Sequence, residues 1–383
     1  MKDRIKRLTI LFKTSLLRLS FRFLGKNINR PKKIIIFQLA KMGDMVCTTP
    51  MFRAVKKKYP DAYLTVVGDL VNKQLLVGNP NIDGYLIWDK DDPFSIINKI
   101  KSEKYDFGCT AGPNFEALAI MILSKIPLIS VPRIENGWSP YETIPYKVLR
   151  KFVITKPHRM GNYAPREYLR LLETINIFTD DTSKKLYYSS EAGKKRDSLF
   201  LENDINTKDL IVGISPSAGN KIKKWPEDRF AQVADYLIEK YQAKILIIGG
   251  PNDREESREM LKNIKNTGNV IDLTGKLSVE ELKALVSKLK LFISVDTGPI
   301  YIAEAFSVPT VDLVGPMDEN EQPPIGDFHK IAKAKDRGKP ELHIMNARSY
   351  NEKGARRQVE DIEVSDVTFE IIRLLKGSTN MVI

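Results

Sequence analysis

The sequence contains few of the residues that form disulfides or bind transition metals. Its 383 residues include only two cysteines, Cys47 and Cys109, and three histidines. Two cysteines are too few for a disulfide framework, which favours a reducing compartment. The histidines, His158, His329 and His343, stand far apart in the sequence, so we expect them at the surface or in loops. The composition therefore predicts a cytoplasmic protein with no metal site.

Two common nucleotide-binding motifs are also missing. No G-x-G-x-x-G follows a predicted strand, and no G-x-x-x-x-G-K-[ST] occurs anywhere in the chain. These motifs place backbone amides against phosphate groups in dinucleotide-binding and P-loop folds. Their absence removes the sequence basis for a standard dehydrogenase or P-loop NTPase.

Positive charge is abundant but unevenly distributed. The formal net charge is +13, and residues 1–33 hold eleven Lys or Arg and one acidic residue, Asp3. The remaining 350 residues are therefore nearly neutral. A nucleic-acid-binding surface spread over the fold would require a basic body, so we expect no nucleic-acid partner.

The basic segment, residues 1–30, has the pattern of an amphipathic helix. An apolar stripe with helical spacing runs between its cations and consists of Ile5, Leu8, Phe12, Leu16, Leu19 and Phe23. Such a helix can lie in the headgroup region of an anionic leaflet. Charges interrupt every apolar run, which excludes a membrane-spanning helix or signal peptide. The alternatives are a helix packed on the body or a disordered basic arm.

The chain from Lys33 onward predicts the start of a doubly wound domain. A strand at Ile34–Phe37 is followed by a short loop with Gly43 and Asp44, a helix at Val46–Lys58 and a strand at Tyr63–Val67. Ligands of such sheets gather at the carboxyl ends of strands, where Asp44 falls. Its carboxylate can serve as a general base or cap the following helix.

Further along the first half, a loop-rich stretch at Pro132–Pro165 contains several aromatic residues. We interpret it as either a substrate-facing surface or a cover for the core. The polar segment that follows, at residues 179–209, is the expected domain boundary.

A second α/β unit is predicted from Leu210. An apolar strand at Leu210–Ser215 leads into small residues that end at Gly219 and then into Lys223 and Lys224. Small residues let a backbone approach phosphate closely, and lysines can neutralise its charge. We therefore expect a phosphate-binding loop here.

The strand at Leu291–Val295 ends in a sharp turn and the start of a helix, Asp296-Thr297-Gly298-Pro299. A helix N-terminus presents unpaired N–H groups to phosphate, and Asp296 could accept hydrogen bonds from hydroxyl groups. The competing interpretation is that Asp296 or Thr297 simply caps the helix.

Taken together in this order, the motifs resemble glycosyltransferase family 9, the ADP-heptose:lipopolysaccharide heptosyltransferases, over roughly Lys33 to Lys376. The resemblance is carried by Gly43-Asp44, Thr48-Thr49-Pro50, Tyr59-Pro60-Asp61-Ala62, Lys223-Lys224-Trp225-Pro226, Gly275-Lys276-Leu277-Ser278, Asp296-Thr297-Gly298, Pro309-Thr310-Val311 and Gly315-Pro316. It implies the α/β GT-B architecture, in which two Rossmann-like domains face each other across a cleft.

The resemblance also implies a domain plan. We expect a basic helix at 1–30, an acceptor-binding domain at 31–178, a linker region at 179–209, a nucleotide-sugar-binding domain at 210–360 and a helix at 361–383 that crosses back to the first domain. The partners would be a nucleotide sugar, a lipid-linked glycan and an anionic membrane surface at the inner face of the plasma membrane.

The family mechanism implies an inverting transfer from ADP-heptose to a lipopolysaccharide core, with no metal and no cofactor. Asp44 would be the general base, and Lys223 would stabilise the departing diphosphate. The donor would also be held by Gly219, Lys224, Glu255, Leu277, Asp296, Thr297 and Gly298.

One position departs from the family pattern. Members usually carry a histidine three residues after the glycine of Asp-Thr-Gly, whereas this chain has Tyr301. A tyrosine can donate one hydrogen bond but cannot carry positive charge, so the phosphate contact should be weaker or differently built. A transferase using a UDP- or GDP-sugar, or a non-catalytic glycan-binding protein, remains an alternative.

Overall fold

The computed structural model describes residues 9–15, 30–206 and 208–379. The chain folds as two units that meet along the sequence at Lys184 and Lys185. The short segment Gln74–Gly78 groups with the second unit although it lies within the first half of the chain. Each unit is described separately below.

The first unit contains a six-stranded parallel sheet with the order β3-β2-β1-β4-β5-β6. Its strands are β1 Lys33–Phe37, β2 Tyr63–Gly68, β3 Gly84–Ile87, β4 Phe107–Thr110, β5 Leu128–Ile134 and β6 Ile154–His158. Its helices are α1 Met42–Lys58, α2 Leu70–Leu75, α3 Ile97–Glu103, α4 Phe115–Leu123, α5 Ile144–Leu149 and α6 Ala164–Leu169, with 3-10 turns at Arg150–Phe152 and Arg170–Ile175.

Both faces of this sheet are covered, which explains why its central strand is apolar at consecutive positions. Ile34 to Phe37 of β1 are fully buried between β2 and β4. Helix α4 is apolar around most of its circumference and contributes Leu118 and Ile120 to the same core. A helix of this kind must lie inside the protein.

Helix α1 begins earlier than the sequence pattern indicates. It starts at Met42, so Asp44 lies in its first turn and not in a loop. The helix also continues through Pro50, which has no N–H to offer the carbonyl oxygen of Val46. The Thr49 hydroxyl donates to that oxygen at 2.7 Å and replaces the missing bond.

The second unit contains another six-stranded parallel sheet, with the order β12-β11-β10-β7-β8-β9. Its strands are β7 Ile211–Ser215, β8 Lys244–Ile247, β9 Val270–Asp272, β10 Leu291–Val295, β11 Thr310–Leu313 and β12 His329–Ala332. Its helices are α7 Ser190–Glu202, α8 Glu227–Tyr241, α9 Arg254–Asn263, α10 Val279–Val286, α11 Gly298–Ala305, α12 Glu352–Glu360 and α13 Val364–Thr379, with 3-10 turns at Lys221–Lys223, Pro251–Asp253 and Thr267–Asn269.

Trp225 is a central residue of the second core. It is fully buried and packs edge-on against Phe230, with 4.8 Å between the ring centroids. Its indole N–H donates to the carbonyl oxygen of Ile362 at 2.9 Å, so the polar atom of this large side chain is satisfied. The packing fixes the backbone directly after Lys223 and Lys224.

Two elements of the second unit bear on the expected domain plan. The region 179–209, expected as a linker, contains helix α7, whose N-cap Ser189 accepts a hydrogen bond from the backbone N–H of Ala192. The last helix, α13, was expected to cross to the first domain, but Val367 and Ile371 are buried in the second core. Its apolar residues recur at helical spacing, and this face fits the surface formed by α8, β11 and β12.

Only a short part of the basic segment is described, and residues 9–15 of it are helical. Ile10 and Leu11 pack against the first core, whereas Phe12 is 67 % exposed. The other members of the predicted apolar stripe, Ile5, Leu8, Leu16, Leu19 and Phe23, lie outside the described residues. Within the described ranges, no helix combines the length and apolar character needed to cross a bilayer.

Candidate active site

The second sheet reverses its strand order between β7 and β10. From β7 the chain adds β8 and β9 on one side, and it then returns to add β10, β11 and β12 on the other. Ligands of open parallel sheets bind outside the carboxyl ends of the strands at such a switch point. Lys223 follows β7, and Asp296 follows β10, so the topology brings both residues to this point.

Asp296 forms the centre of a buried polar cluster. Its side chain is 3 % exposed, and one carboxylate oxygen accepts from Lys223 Nζ at 3.0 Å. The other carboxylate oxygen accepts from the Tyr301 hydroxyl, and Lys223 Nζ also donates to the backbone carbonyl oxygen of Asp296. Lys223 and Tyr301 therefore hold the same carboxylate from two sides.

The turn after Asp296 leaves the start of α11 without a side-chain cap. Thr297 occupies the N-cap position, and its side chain makes no capping hydrogen bond. Asp296 is engaged by Lys223 and Tyr301 instead of by the helix. Thr297 and Gly298 are only half-buried. Pro299 has no N–H and the N–H of Ile300 donates to the carbonyl oxygen of Thr297, so the helix N-terminus presents the N–H of Gly298 and its positive dipole end to a phosphate.

Lys224 has different partners from its neighbour Lys223. Its ammonium group lies 2.9 Å from Glu256 and 3.0 Å from Glu227. Burial alone would lower the pKa of Lys224, but its hydrogen bonds and charge pairing with these two carboxylates outweigh burial and raise it. Lys224 therefore ties the starts of α8 and α9 together.

Glu256 was not identified from the sequence, which favoured Glu255. In the structure Glu255 is exposed, whereas Glu256 is buried. Burial raises the pKa of Glu256, but the Lys224 ammonium more than offsets this and holds the pKa below its usual value. The amphipathic pattern of α9, with Ser257 and Met260 buried beside Glu256, is the signal that could have separated the two glutamates.

The other predicted donor residues also follow carboxyl ends of strands in this sheet. Gly219 is exposed in the loop between β7 and the 3-10 turn that contains Lys223. Leu277 is half-buried between β9 and α10, directly before the N-cap Ser278. Both residues thus lie on the edge of the sheet that carries Asp296.

Asp44 occupies a comparable place in the first unit. The first sheet reverses its order between β1 and β4, and Asp44 follows β1 as the third residue of α1. Its side chain is half-buried. The carbonyl oxygen of Asp44 accepts from the Thr48 hydroxyl at 2.8 Å, and the side chain of Gln38 donates to Thr48 at 2.8 Å. These contacts fix the backbone that carries the carboxylate.

The loop-rich stretch at Pro132–Pro165 covers part of the first core. Tyr146 is fully buried, and its hydroxyl donates to the carbonyl oxygen of Pro132 at 2.6 Å, so this part covers the core. Trp138 is 57 % exposed. The prediction that His158 lies at the surface was wrong, because it ends β6 and is buried near Tyr168.

The second of two doubly wound parallel sheets thus has a helix N-terminus and a lysine at its switch point, where an anionic ligand can bind. The family model for glycosyltransferase family 9 (heptosyltransferase) matches residues 94–350, which is more than half of the chain. The chain belongs to this family. It is therefore a glycosyltransferase of family 9, the heptosyltransferase family.

Named relatives and solved structures agree with this assignment. Lipopolysaccharide heptosyltransferase 3 of Escherichia coli K12 is 27 % identical over 290 residues, covering 72 % of this chain and 80 % of the relative. The family 9 glycosyltransferase of Veillonella parvula is 23 % identical with a TM-score of 0.75, covering 90 % of this chain and 98 % of that structure. ADP-heptose LPS heptosyltransferase II of E. coli is 17 % identical with a TM-score of 0.71, covering 90 % and 99 %. The two structures share the expected α/β fold, which is thereby confirmed.

Proposed function

We propose that this enzyme transfers a heptose from ADP-heptose to a lipopolysaccharide core acceptor and inverts the anomeric carbon. The observation that carries the proposal is the convergence of Lys223 and Tyr301 on Asp296, next to the uncapped start of α11. Family membership and the structural similarity to ADP-heptose LPS heptosyltransferase II of E. coli support the choice of donor.

The second unit supplies the charge that the departing diphosphate requires. Lys223 Nζ carries three hydrogens and uses two of them on Asp296, so a third can be donated to a phosphate oxygen. The backbone N–H of Gly298, at the start of α11, can bind a second oxygen. Preorganised donors of this kind stabilise a leaving group without a metal ion, and we therefore propose a metal-independent transfer step.

Tyr301 takes a role other than direct phosphate contact. Its hydroxyl is committed to Asp296 and its side chain is 2 % exposed. Asp296, held in this way, is positioned to accept hydrogen bonds from hydroxyl groups of the donor sugar. Gly219 and Leu277 would contact the nucleotide, whereas the exposed Glu255 would reach only a ribose hydroxyl at the rim.

The first unit supplies the general base. Asp44 takes the proton from an acceptor hydroxyl while the oxygen attacks the anomeric carbon of the heptose. The new glycosidic bond forms as the bond to the diphosphate oxygen breaks, and ADP leaves with the negative charge. The direct displacement inverts the anomeric configuration, and a positioned base contributes about 10²- to 10⁴-fold to the rate.

We also propose that the basic segment brings the enzyme to the inner face of the plasma membrane. Its nine cations suit an anionic leaflet, and each contributes about 1 kcal/mol near such a surface. Ile10 and Leu11 attach the described helical part to the first unit, while Phe12 faces outward. The attachment leaves the exposed side of the helix available to lipid.

Deletion of residues 1–8 would test the membrane proposal without removing Ile10 or Leu11. We expect weaker binding to anionic vesicles, with unchanged turnover on a soluble truncated acceptor, because four of the cations are lost. High salt should weaken the wild-type binding, since surface charges are screened over about 8 Å at physiological ionic strength. Equal binding to neutral vesicles at high salt would contradict the electrostatic explanation.

The transfer itself is tested by incubating the full chain with ADP-heptose and a heptose-deficient lipopolysaccharide core, with matched reactions containing UDP-glucose or GDP-mannose. Mass spectrometry detects the product, and NMR of the new anomeric proton reports inversion. Transfer from ADP-heptose alone supports the proposal. Transfer only from a UDP- or GDP-sugar would assign another donor, and acceptor binding without transfer from any donor would indicate a glycan-binding protein.

A further inference from the structure

A second polar cluster lies beyond β11 in the second unit and consists of Asp318, Glu321 and His343. The backbone N–H of Asp318 donates to the carbonyl oxygen of Leu342 at 3.0 Å. Met317 and Leu342 also form a parallel β-bridge. This pairing brings two loop segments together and places His343 beside the two acids.

The side-chain atoms of the cluster converge within a small space. His343 Nδ1 lies 3.2 Å from a Glu321 carboxylate oxygen and 3.5 Å from an Asp318 carboxylate oxygen. The three atoms lie within 4.8 Å of one another. The side chains of Glu321 and Asp318 are 2 % and 8 % exposed, while that of His343 is 29 % exposed. The carboxylates are thus buried, and the imidazole is reached from solvent.

The surrounding loop orients both carboxylates. The second oxygen of Glu321 accepts from the backbone N–H of Ile344 at 2.6 Å. The second oxygen of Asp318 accepts from the backbone and side-chain nitrogens of Asn320, both at 2.9 Å. One oxygen of each acid is therefore held by the loop, and the other is directed at His343 Nδ1. Outer contacts of this kind orient the ligands of metal sites.

A single hydrogen on His343 Nδ1 cannot form full hydrogen bonds to both carboxylates. The Nδ1 atom of His343 carries at most one hydrogen, which can be donated fully to only one of the two carboxylates. Buried carboxylates are paired or coordinate a metal, and a cation can be bound by all three converging groups at once.

The two distances from His343 also match metal coordination. Neighbouring ligands at 2.0–2.2 Å from an ion are separated by about 2.8–3.6 Å in octahedral or tetrahedral geometry. The two distances from His343 Nδ1, 3.2 and 3.5 Å, fall within this range. We propose that Asp318, Glu321 and His343 form a binding site for a divalent cation. An imidazole with two carboxylates favours Zn²⁺ over Mg²⁺, and water would complete the coordination.

The position of the site gives the ion a structural role. Met317 and Leu342, which flank the ligands, share a buried apolar cluster with Ile222, the residue before Lys223. An ion that ties the two loop segments together would therefore brace the packing behind the Lys221–Lys223 turn. This role is separate from the metal-independent transfer step proposed above.

The test uses the full chain after treatment with a chelator and measures melting temperature and calorimetric binding with ZnCl₂, MnCl₂ or MgCl₂. We expect Zn²⁺ to raise the melting temperature and to bind at one ion per chain, more tightly than Mg²⁺. Glu321→Gln and His343→Gln should each weaken Zn²⁺ binding by more than the 10- to 100-fold typical of losing an outer contact.

Glu319→Gln is the matched control, because it removes a neighbouring acid that is not a ligand. Glu319 pairs with Lys333 at 2.8 Å and with Arg337 at 2.5 Å. This variant should melt at a lower temperature but keep its response to Zn²⁺. If His343→Gln does not fold, Asp318→Asn replaces it. A wild-type chain that binds no divalent ion, or ligand variants that bind Zn²⁺ as the wild type does, would overturn the proposal.

Discussion

Each unit has a turn that leads from a strand of its sheet into a helix, and the two helices differ in their N-terminal capping. In the first unit, β4 leads through Gly112 and Pro113 to Asn114, whose side chain accepts from the N–H of Ala117 at 2.7 Å and caps α4. In the second unit, β10 leads to Thr297, which makes no side-chain cap at the start of α11. The first turn therefore provides a side-chain acceptor for an N–H group of α4. The second turn provides none for α11, whose N-terminus can bind an anion instead.

The loops after the first strand of each sheet differ in charge. The loop and helix start after β1 carry a carboxylate, Asp44, and the loop after β7 carries Lys223. Equivalent positions in two similar sheets thus carry a carboxylate in one unit and an ammonium group in the other. In the proposed mechanism the carboxylate removes a proton and the ammonium group stabilises the leaving group.

The largest effect should follow from removing the base of the first unit. Asp44→Asn keeps the size of the side chain but cannot accept the proton, so we expect kcat to fall by about 10²- to 10⁴-fold. The matched control is Asp61→Asn, an exposed acid paired with Arg30, which should leave kcat unchanged. Near-normal turnover of Asp44→Asn would show that the carboxylate only stabilises α1.

The next largest effect should distinguish the functions of the two neighbouring lysines. Lys223→Ala removes a donor proposed to bind phosphate, and hydrogen bonds to charged groups contribute about 1.5–3 kcal/mol, so the KM for the donor should rise by at least tenfold. Lys224→Ala should change this KM little. It should instead lower the free energy of unfolding by about 1–3 kcal/mol, because Glu256 is left buried without its lysine. Equal and negligible effects would assign both lysines to an ordinary charged surface.

Smaller effects are expected from substituting the N-cap residue of each turn. Asn114→Ala removes a capping hydrogen bond and should lower the free energy of unfolding by about 1 kcal/mol, with no change in donor KM. Thr297→Ala removes no cap, so its stability should stay within about 0.5 kcal/mol of the wild type while its donor KM rises. Denaturant unfolding and steady-state kinetics measure both quantities. The reverse pattern would place the anion-binding turn in the first unit.

The smallest effect concerns pH. Burial opposes ionisation of Glu256, but Lys224 holds its pKa below the ordinary value of 4.5. A carboxyl with a lowered folded-state pKa adds stability above its unfolded pKa and loses it as the pH falls through the folded value. Below pH 4.5 the wild type should therefore lose more stability than Glu256→Gln. Parallel acid-unfolding curves for the two proteins would contradict this assignment.

Local sequence patterns predicted most strands and the turn at Asp296, because buried apolar runs and Gly-Pro turns are local signals. They did not predict that α1 starts at Met42, since its N-cap is Lys41, a residue that provides no side-chain cap. The packing of α13 on the second sheet depends on which surface receives its apolar face, and the sequence leaves that choice open.

The side-chain clusters were harder to predict, because they depend on how separate segments of the chain pack together. Distinguishing Glu256 from Glu255 requires the orientation of α9 relative to Lys224. The cluster around His343 depends on the pairing of Met317 with Leu342, which are far apart in the sequence. Lys223 and Asp296 could be identified separately from their motifs, but their contact follows from the adjacency of β7 and β10.

A crystal structure of the protein with ADP would test the difference between the two turns most directly. We predict that the terminal phosphate lies within hydrogen-bonding distance of Lys223 Nζ and of the first-turn amides of α11 at Gly298. The turn after β4, capped by Asn114, should hold no phosphate. ADP bound at that first turn, or bound away from both Lys223 and Gly298, would contradict the proposed donor site.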